Sequence, residues 1–184
     1  MPSWAIHLAT TTKINKKINI NNKNIFLFGN ILPDVLNGYV IKNISHIVPH
    51  REAHIEKAIQ VGNHREYRYD LDGFYKNYHN KFSNPLILGY YTHLLTDYYW
   101  NNSTYGGRGI FDEDKKLIGL KMNNGEKYIA PIEILKKIKV NDFKIFSKHI
   151  YQSNMADIPK YDEKILEYAK EVTWLDIQKQ DVLE

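Results

Sequence analysis

The stretch PLILGYYTHLLTDYYW, residues 85–100, is apolar or aromatic nearly all round, yet it carries His93 and Asp97. Four residues apart on a helix, an imidazole and a carboxylate lie one turn apart on the same face. Inside a core such a pair needs further partners, because an unpaired buried charge costs several kcal/mol. Other ionisable groups stand in similar surroundings. His7 lies on the apolar stripe that begins at Trp4, Asp34 closes FLFGNILPD, and His46 sits in NISHIV. Taken singly, each fits an ordinary role: a core histidine, or an aspartate capping the turn after Pro33. Five together point to a metal site, since a cation offsets the burial of two carboxylates and takes neutral imidazoles as ligands. His50 and His54 follow His46 at four-residue intervals and are alternates to it. Pro49 interrupts helical geometry there, which ranks His46 first.

The order of these residues carries a resemblance. His7, then GNILPD ending at Asp34, then SH at His46, then GYYTHLLTD with His93 and Asp97 resembles the bacterial zinc-dependent phospholipase C family. The similarity is clearest to its small cytoplasmic phospholipase C-like members and covers residues 3–102. It implies an all-helical fold with a metal cluster held between helices. Asp34, His46, His93 and Asp97 would hold one metal, and His7 with a bridging Asp97 would reach a second. The secreted three-zinc enzymes also use an N-terminal Trp and a further His, His and Glu set. Here Trp4 is internal and His149 is the only histidine beyond Asp97, so a third zinc is not expected.

A site of imidazoles and carboxylates without sulfur suits Zn2+, as one or two ions, and accepts Mn, Fe or Mg. Such a metal lowers the pKa of bound water to about 7 and polarises a phosphoryl oxygen. The expected activity is therefore phosphoester hydrolysis on a small phosphoester substrate. Asp34 and Asp97 are the expected catalytic carboxylates, with Asp34 either a ligand or the base that orients the attacking water. Of 25 basic residues only four are arginine, Arg51, Arg65, Arg68 and Arg108. Arg108 lies in YGGRG just after the HxxxD helix and is the expected phosphate clamp. Trp100 and Tyr90 fall near the same helix face and are expected to wall the substrate pocket. Two other readings compete: an HD-type nucleotide phosphohydrolase, although no HD dipeptide occurs, and a non-enzymatic helical module with a structural metal.

These residues need elements to position them. Apolar spacing predicts a helix over 3–18 with Ser3 as N-cap, broken by NNKN at 21–24. The apolar run IFLFGNIL ends at Pro33-Asp34, and residues 44–62 read as partly helical. A helix is expected over 70–82. Another starts at Asn84-Pro85, runs to about Trp100 or Asn102 and stops at YGGRG. Asn124-Gly125 between apolar runs marks a small hairpin within 117–130. Two more helices are expected near 131–153 and 159–178, the last with Tyr161, Ile165, Tyr168, Val172 and Leu175 on one stripe. The expectation is an all-α, single-domain bundle over 1–184 with its metal site between helices.

Composition narrows the function classes. At 184 residues, with 43% hydrophobic and 25% charged, the chain has an ordinary globular balance. It contains no cysteine, which excludes disulfides and thiolate metal sites. The net charge of +4 comes from lysines scattered among Asn and Ile, the pattern of a solvated surface, so no nucleic-acid partner is indicated. No apolar run approaches the roughly 18 residues of a membrane span, and no stable membrane anchor is expected. The lysines near the N-terminus follow the apolar stretch instead of preceding it, unlike a signal peptide. A cytoplasmic location is the resulting expectation, and the oligomeric state is left open.

Overall fold

The segment from Ile25 to Leu36 is apolar on every side, and a helix of that kind belongs at the centre of a core. The computed structural model describes residues 2–37, 47–62, 64–114 and 116–177. In it α1 spans Trp4–Ile18 and α2 spans Lys23–Leu36, with every residue of α2 from Ile25 onward buried. Helix α5, Pro85–Ser103, starts as expected: the Asn84 side chain accepts from the Leu86 amide at 2.9 Å and Pro85 occupies the first turn. Among the described residues α2 and α5 make the most extensive helix contact. That contact is close because each helix offers a glycine. A Cβ on Gly89 would collide with the Phe26 carbonyl oxygen, and one on Gly29 with that of Leu86.

The rest is arranged around this pair. Helix α1 covers one flank of α2, where Leu8 meets Leu27, Ile31 and Val35. Helix α7, Ile132–Gln152, backs onto α1 through Ile150 against Ala5 and Ile6. On the other flank lie α4, Leu71–Tyr78, and α8, Lys164–Ala169. There Phe74, Tyr90 and Trp174 meet, Trp174 edge-on to both rings at 5.0 and 5.3 Å. Burying each such ring contributes about 2–3 kcal/mol. No helix among the described residues is long and apolar enough to cross a membrane.

The fold is mostly helical but not all-α. Residues 44–62, read above as partly helical, hold a short helix α3, His50–Ala53, and strand β1, Glu56–Val61. Strand β1 pairs antiparallel with β2, His64–Tyr69, in the register Glu56 with Tyr69 and Val61 with His64. Gly62, the residue after β1, has a φ of 59°, which suits a tight turn. The expected hairpin at 117–130 is present as β4, Leu117–Lys121, and β5, Lys127–Ile129, turning at Gly125 with φ 86°. It is joined by a third strand, β3, Gly109–Phe111, which follows a single-turn α6, Tyr105–Arg108.

Two helix bounds also differ. Helix α2 continues through Pro33 to Leu36, because burial on all sides outweighs the one hydrogen bond that proline removes. The helix expected over 159–178 shrinks to Lys164–Ala169. Asn24 holds Lys160 by both main-chain groups, at 2.7 and 2.8 Å, ahead of it, and Val172 and Leu175 enter the core beyond it.

The glycine contact yields a measurable consequence. Gly89→Ala should lower stability to equilibrium urea unfolding by on the order of 3 kcal/mol, since main chain would have to move. Gly62→Ala, where the added Cβ meets nothing within 4 Å, should cost only about 1 kcal/mol for its left-handed backbone. Equal losses at the two positions would show that the α2–α5 approach is not tight.

Candidate metal centre

Four elements deliver the five parts of the site. His7 comes from the inward face of α1, Asp34 from the last turn of α2, and His93 and Asp97 from one face of α5. The fifth group is His54, at the C-terminal end of α3. His7, His54, His93 and Asp97 are 0% exposed and Asp34 is 1% exposed. Four of the five residues expected from the sequence are therefore brought together. The fifth, His46, lies outside the described residues, and His54, named as its alternate, faces the cluster. His50 is not in the cluster; its ring stacks on His54 at 3.9 Å, half-buried. Burial and the adjacent His54 lower the His50 pKa to about 4.

Hydrogen bonding fixes the imidazole tautomers. His93 Nδ1 lies 2.6 Å from the Asn30 carbonyl oxygen, and His54 Nδ1 lies 3.0 Å from that of His50. A carbonyl only accepts, so both Nδ1 atoms carry the proton and donate. In the neutral rings both Nε2 lone pairs then point inward, 3.2 Å from each other. Asp97 Oδ2 is 3.5 Å from each of those nitrogens, and Asp34 Oδ1 is 3.5 Å from His54 Nε2. Ligands about 2.1 Å from a tetrahedral ion lie about 3.4 Å apart. The triangle of His54, His93 and Asp97 has the edge lengths of one face of such a tetrahedron. The other Asp97 oxygen, Oδ1, points the opposite way, 3.3 Å from His7 Nε2. Neither that oxygen nor either His7 nitrogen makes a hydrogen bond among the described residues. Two sets of ligand atoms close enough to share an ion result, His54–His93–Asp97 and His7–Asp34–His93. The cluster is of the kind that holds a metal ion.

An outer layer aims the carboxylates. Trp4 Nε1 donates to Asp34 Oδ2 at 3.2 Å, Asn37 Nδ2 to Asp34 Oδ1 at 3.3 Å, and the Tyr69 hydroxyl to Asp97 Oδ2 at 3.1 Å. Burial alone would raise the pKa of both aspartates. The adjacent histidine rings outweigh it, chiefly His54 at Asp34 and His7 and His93 at Asp97, so both carboxyls are held below the usual carboxylate range. Burial and the Asp97 charge push the Tyr69 phenol up, keeping it a donor. Asn30 ties three helices. With its amide nitrogen turned toward α1 it donates to Thr11 Oγ1 at 2.9 Å and the His7 carbonyl at 3.1 Å. In that orientation its oxygen accepts from the His93 amide at 3.0 Å.

Of the three residues expected to bind substrate, Trp100 and Arg108 line a cavity at the end of α5. Tyr90 does not. It is 0% exposed, and its hydroxyl donates to the Ala53 carbonyl, so it secures the chain one residue before His54. Trp4, Asn30 and Tyr69 were not expected at the site. Trp4 and Asn30 had a legible signal, being one turn before His7 and Asp34 on the same helix faces. Tyr69 had none, because it arrives on a strand. Comparison of the chain with protein-family models, with curated proteins and with solved structures finds no match.

Ligand loss should be selective. Emission spectrometry of protein purified without chelator should show bound divalent metal, and His54→Ala should reduce it sharply. His79→Ala, at an exposed ring, should not. Tyr69→Phe should keep the fold yet weaken metal affinity by about tenfold or more, as removal of an outer hydrogen bond does. Undiminished metal in His54→Ala would strike His54 from the ligand set.

Proposed function

We propose that the protein is a metal-dependent phosphoester hydrolase resembling zinc-dependent phospholipase C, with Zn2+ as its metal in one or two sites. The supporting observation is the convergence of two imidazole lone pairs and a carboxylate oxygen at ligand-to-ligand distances of 3.2 and 3.5 Å. Nitrogen and oxygen donors in that spacing suit zinc, and the same donors accept Mn, Fe or Mg. Asp97 reaches toward His54 and His93 with one oxygen and toward His7 with the other, the disposition of a bridging carboxylate. Metal bound there supplies Lewis acidity, stabilising charge on a phosphoryl oxygen and making water acidic near neutral pH.

The chain's own residues divide the remaining work. His7, His54 and His93 bind through neutral nitrogens, and Asp97 balances charge between the two halves of the cluster. Asp34 has one oxygen held by Trp4 and the other beside His54, so it can bind metal or take a proton from the attacking water. The substrate is a small phosphoester.

A second reading has one observation in its favour. The five side chains are at most 1% exposed, and a purely structural metal would also sit in a closed shell. Hydrolysis by the parent separates the two readings, and Asp97→Asn tests the metal that both require, because it keeps shape and a carbonyl acceptor but loses the charge. Under the hydrolase reading, metal becomes substoichiometric and melting no longer responds to EDTA. Hydrolysis of p-nitrophenyl phosphate or its bis-ester by the metal-loaded parent should fall by about 100-fold or more in the variant. Metal-dependent stability in the parent with no hydrolysis across a phosphoester panel would leave the structural role. Unchanged metal in the variant would remove the bridge.

A further inference from the structure

Beyond the cluster, the last turns of α5 meet α7 and β4 around a cavity of about 360 Å³, in the size range of small-ligand sites. Trp100, one turn past Asp97 on α5, and Thr104, just after the helix ends, contribute to its lining. Trp100, Ile138 and Phe146 give it apolar and aromatic walls, and the rings of Trp100 and Phe146 meet edge-on at 6.1 Å. Arg108 and Lys121 also line it, with Asp142 the one carboxylate among the lining side chains. Arg108 is held in place by a hydrogen bond to Asn123.

A third cation, Lys139, follows Ile138 of the cavity wall along α7. The buried face of α7 is marked by Leu135 and Ile150, and Lys139 falls on it, one turn after Leu135 and three turns before Ile150. A lysine on the inward face of an amphipathic helix is unusual, since its ammonium is costly to desolvate. Its Nζ lies 5.5 Å from the Phe143 ring centre, and that ring lies 6.4 Å from Trp100. Burial pulls the Lys139 pKa down while the Asp97 carboxylate pulls it back up. The cavity thus begins at Trp100, one turn of α5 beyond Asp97, and its lining includes none of the cluster's own residues.

The geometry points to this cavity as the binding site for the substrate, a phosphate ester of an aromatic or similarly flat apolar alcohol, with Lys139 and Arg108 holding the phosphate and Trp100 and Phe146 the organic group. The inference rests on the hydrolase reading. Aromatic walls favour a flat apolar body over a sugar or polyol, and cations in excess over carboxylates favour an anion.

The test uses phenylphosphonate and methylphosphonate, which cannot be hydrolysed, titrated calorimetrically into metal-loaded and into chelator-treated protein. Phenylphosphonate should bind at least about tenfold more tightly than methylphosphonate in both forms, because the ring is buried against walls that contain no ligand of the cluster. Lys139→Met, which keeps the apolar stem, should weaken both phosphonates about tenfold with metal content and circular dichroism unchanged. Phe146→Ala, at a half-exposed ring, should erase the phenyl preference alone. Protein that hydrolyses phosphoesters yet binds both phosphonates equally would overturn the inference and leave the hydrolase reading standing. Protein without metal or activity that still prefers phenylphosphonate would overturn the hydrolase reading and leave the pocket. Parent-like binding in Lys139→Met would remove Lys139 from it.

Discussion

Asp34 and Asp97 are withdrawn from water into a cluster with His7, His54 and His93, and desolvation costs several kcal/mol for each carboxylate that stays ionised. The surrounding structure is arranged so that they do stay ionised. Among the described residues three donors are aimed at them: the Trp4 indole, the Asn37 amide and the Tyr69 hydroxyl. These come from three different elements, so the charges are compensated only when α1, α2 and β2 have all docked against α5. Tertiary assembly and charge compensation are therefore one event.

Precision in such a cluster depends on backbone separation, because a carboxylate is short and cannot reach far. The glycines at 29 and 89 let α2 and α5 touch main chain to main chain, which brings Asp34 within reach of ligands on α5. Asn30 fixes the height of α1 and α5 relative to α2 through the His7 carbonyl and the His93 amide. Tyr90 does the same for α3 by holding Ala53, next to His54. Side chains in these roles carry no chemistry of their own, yet sub-ångström placement of the ligands rests on them.

The same logic explains what could be read from the chain alone. His7, Asp34, His93 and Asp97 were legible because each interrupts an apolar helical segment, and interrupting such a segment is costly unless the group has partners. His54 was harder, because Pro49 interrupts the four-residue spacing that links it to His46 and so ranked His46 first. In the structure α3 begins after Pro49 and ends at Ala53, which leaves His54 facing the cluster, and the chain turns at Ile55 with φ 51° into β1. The β1–β2 ribbon was missed because AHIEKAIQV has apolar positions compatible with both periods, and the Gly-Asn pair that marks the turn was outweighed by them. Tyr69 was lost with it. Pro33 suggested an end to α2 that burial overrides. Lys139 was hidden among the other lysines of its helix, and only the packing of α7 distinguishes it from those on the solvent side.

Protons offer the alternative to a metal as the balancing charge, and the tautomers bear on that choice. With Nδ1 of His54 and of His93 committed to carbonyls, protonating both rings would set two N–H groups against each other at 3.2 Å. Protonating one ring resolves that contact but leaves His7 and Asp97 Oδ1 facing each other at 3.3 Å without a hydrogen bond. A buried polar atom left without a partner costs about 1–3 kcal/mol, and three of them lie here side by side. A cation among His54 Nε2, His93 Nε2 and Asp97 Oδ2 would take up those lone pairs without a proton, and one beside His7 would take up His7 Nε2 and Asp97 Oδ1, leaving only His7 Nδ1 without a partner among the described residues. The cluster is therefore one that can hold a metal ion, and its outer donors are placed as the supports of a metal site would be.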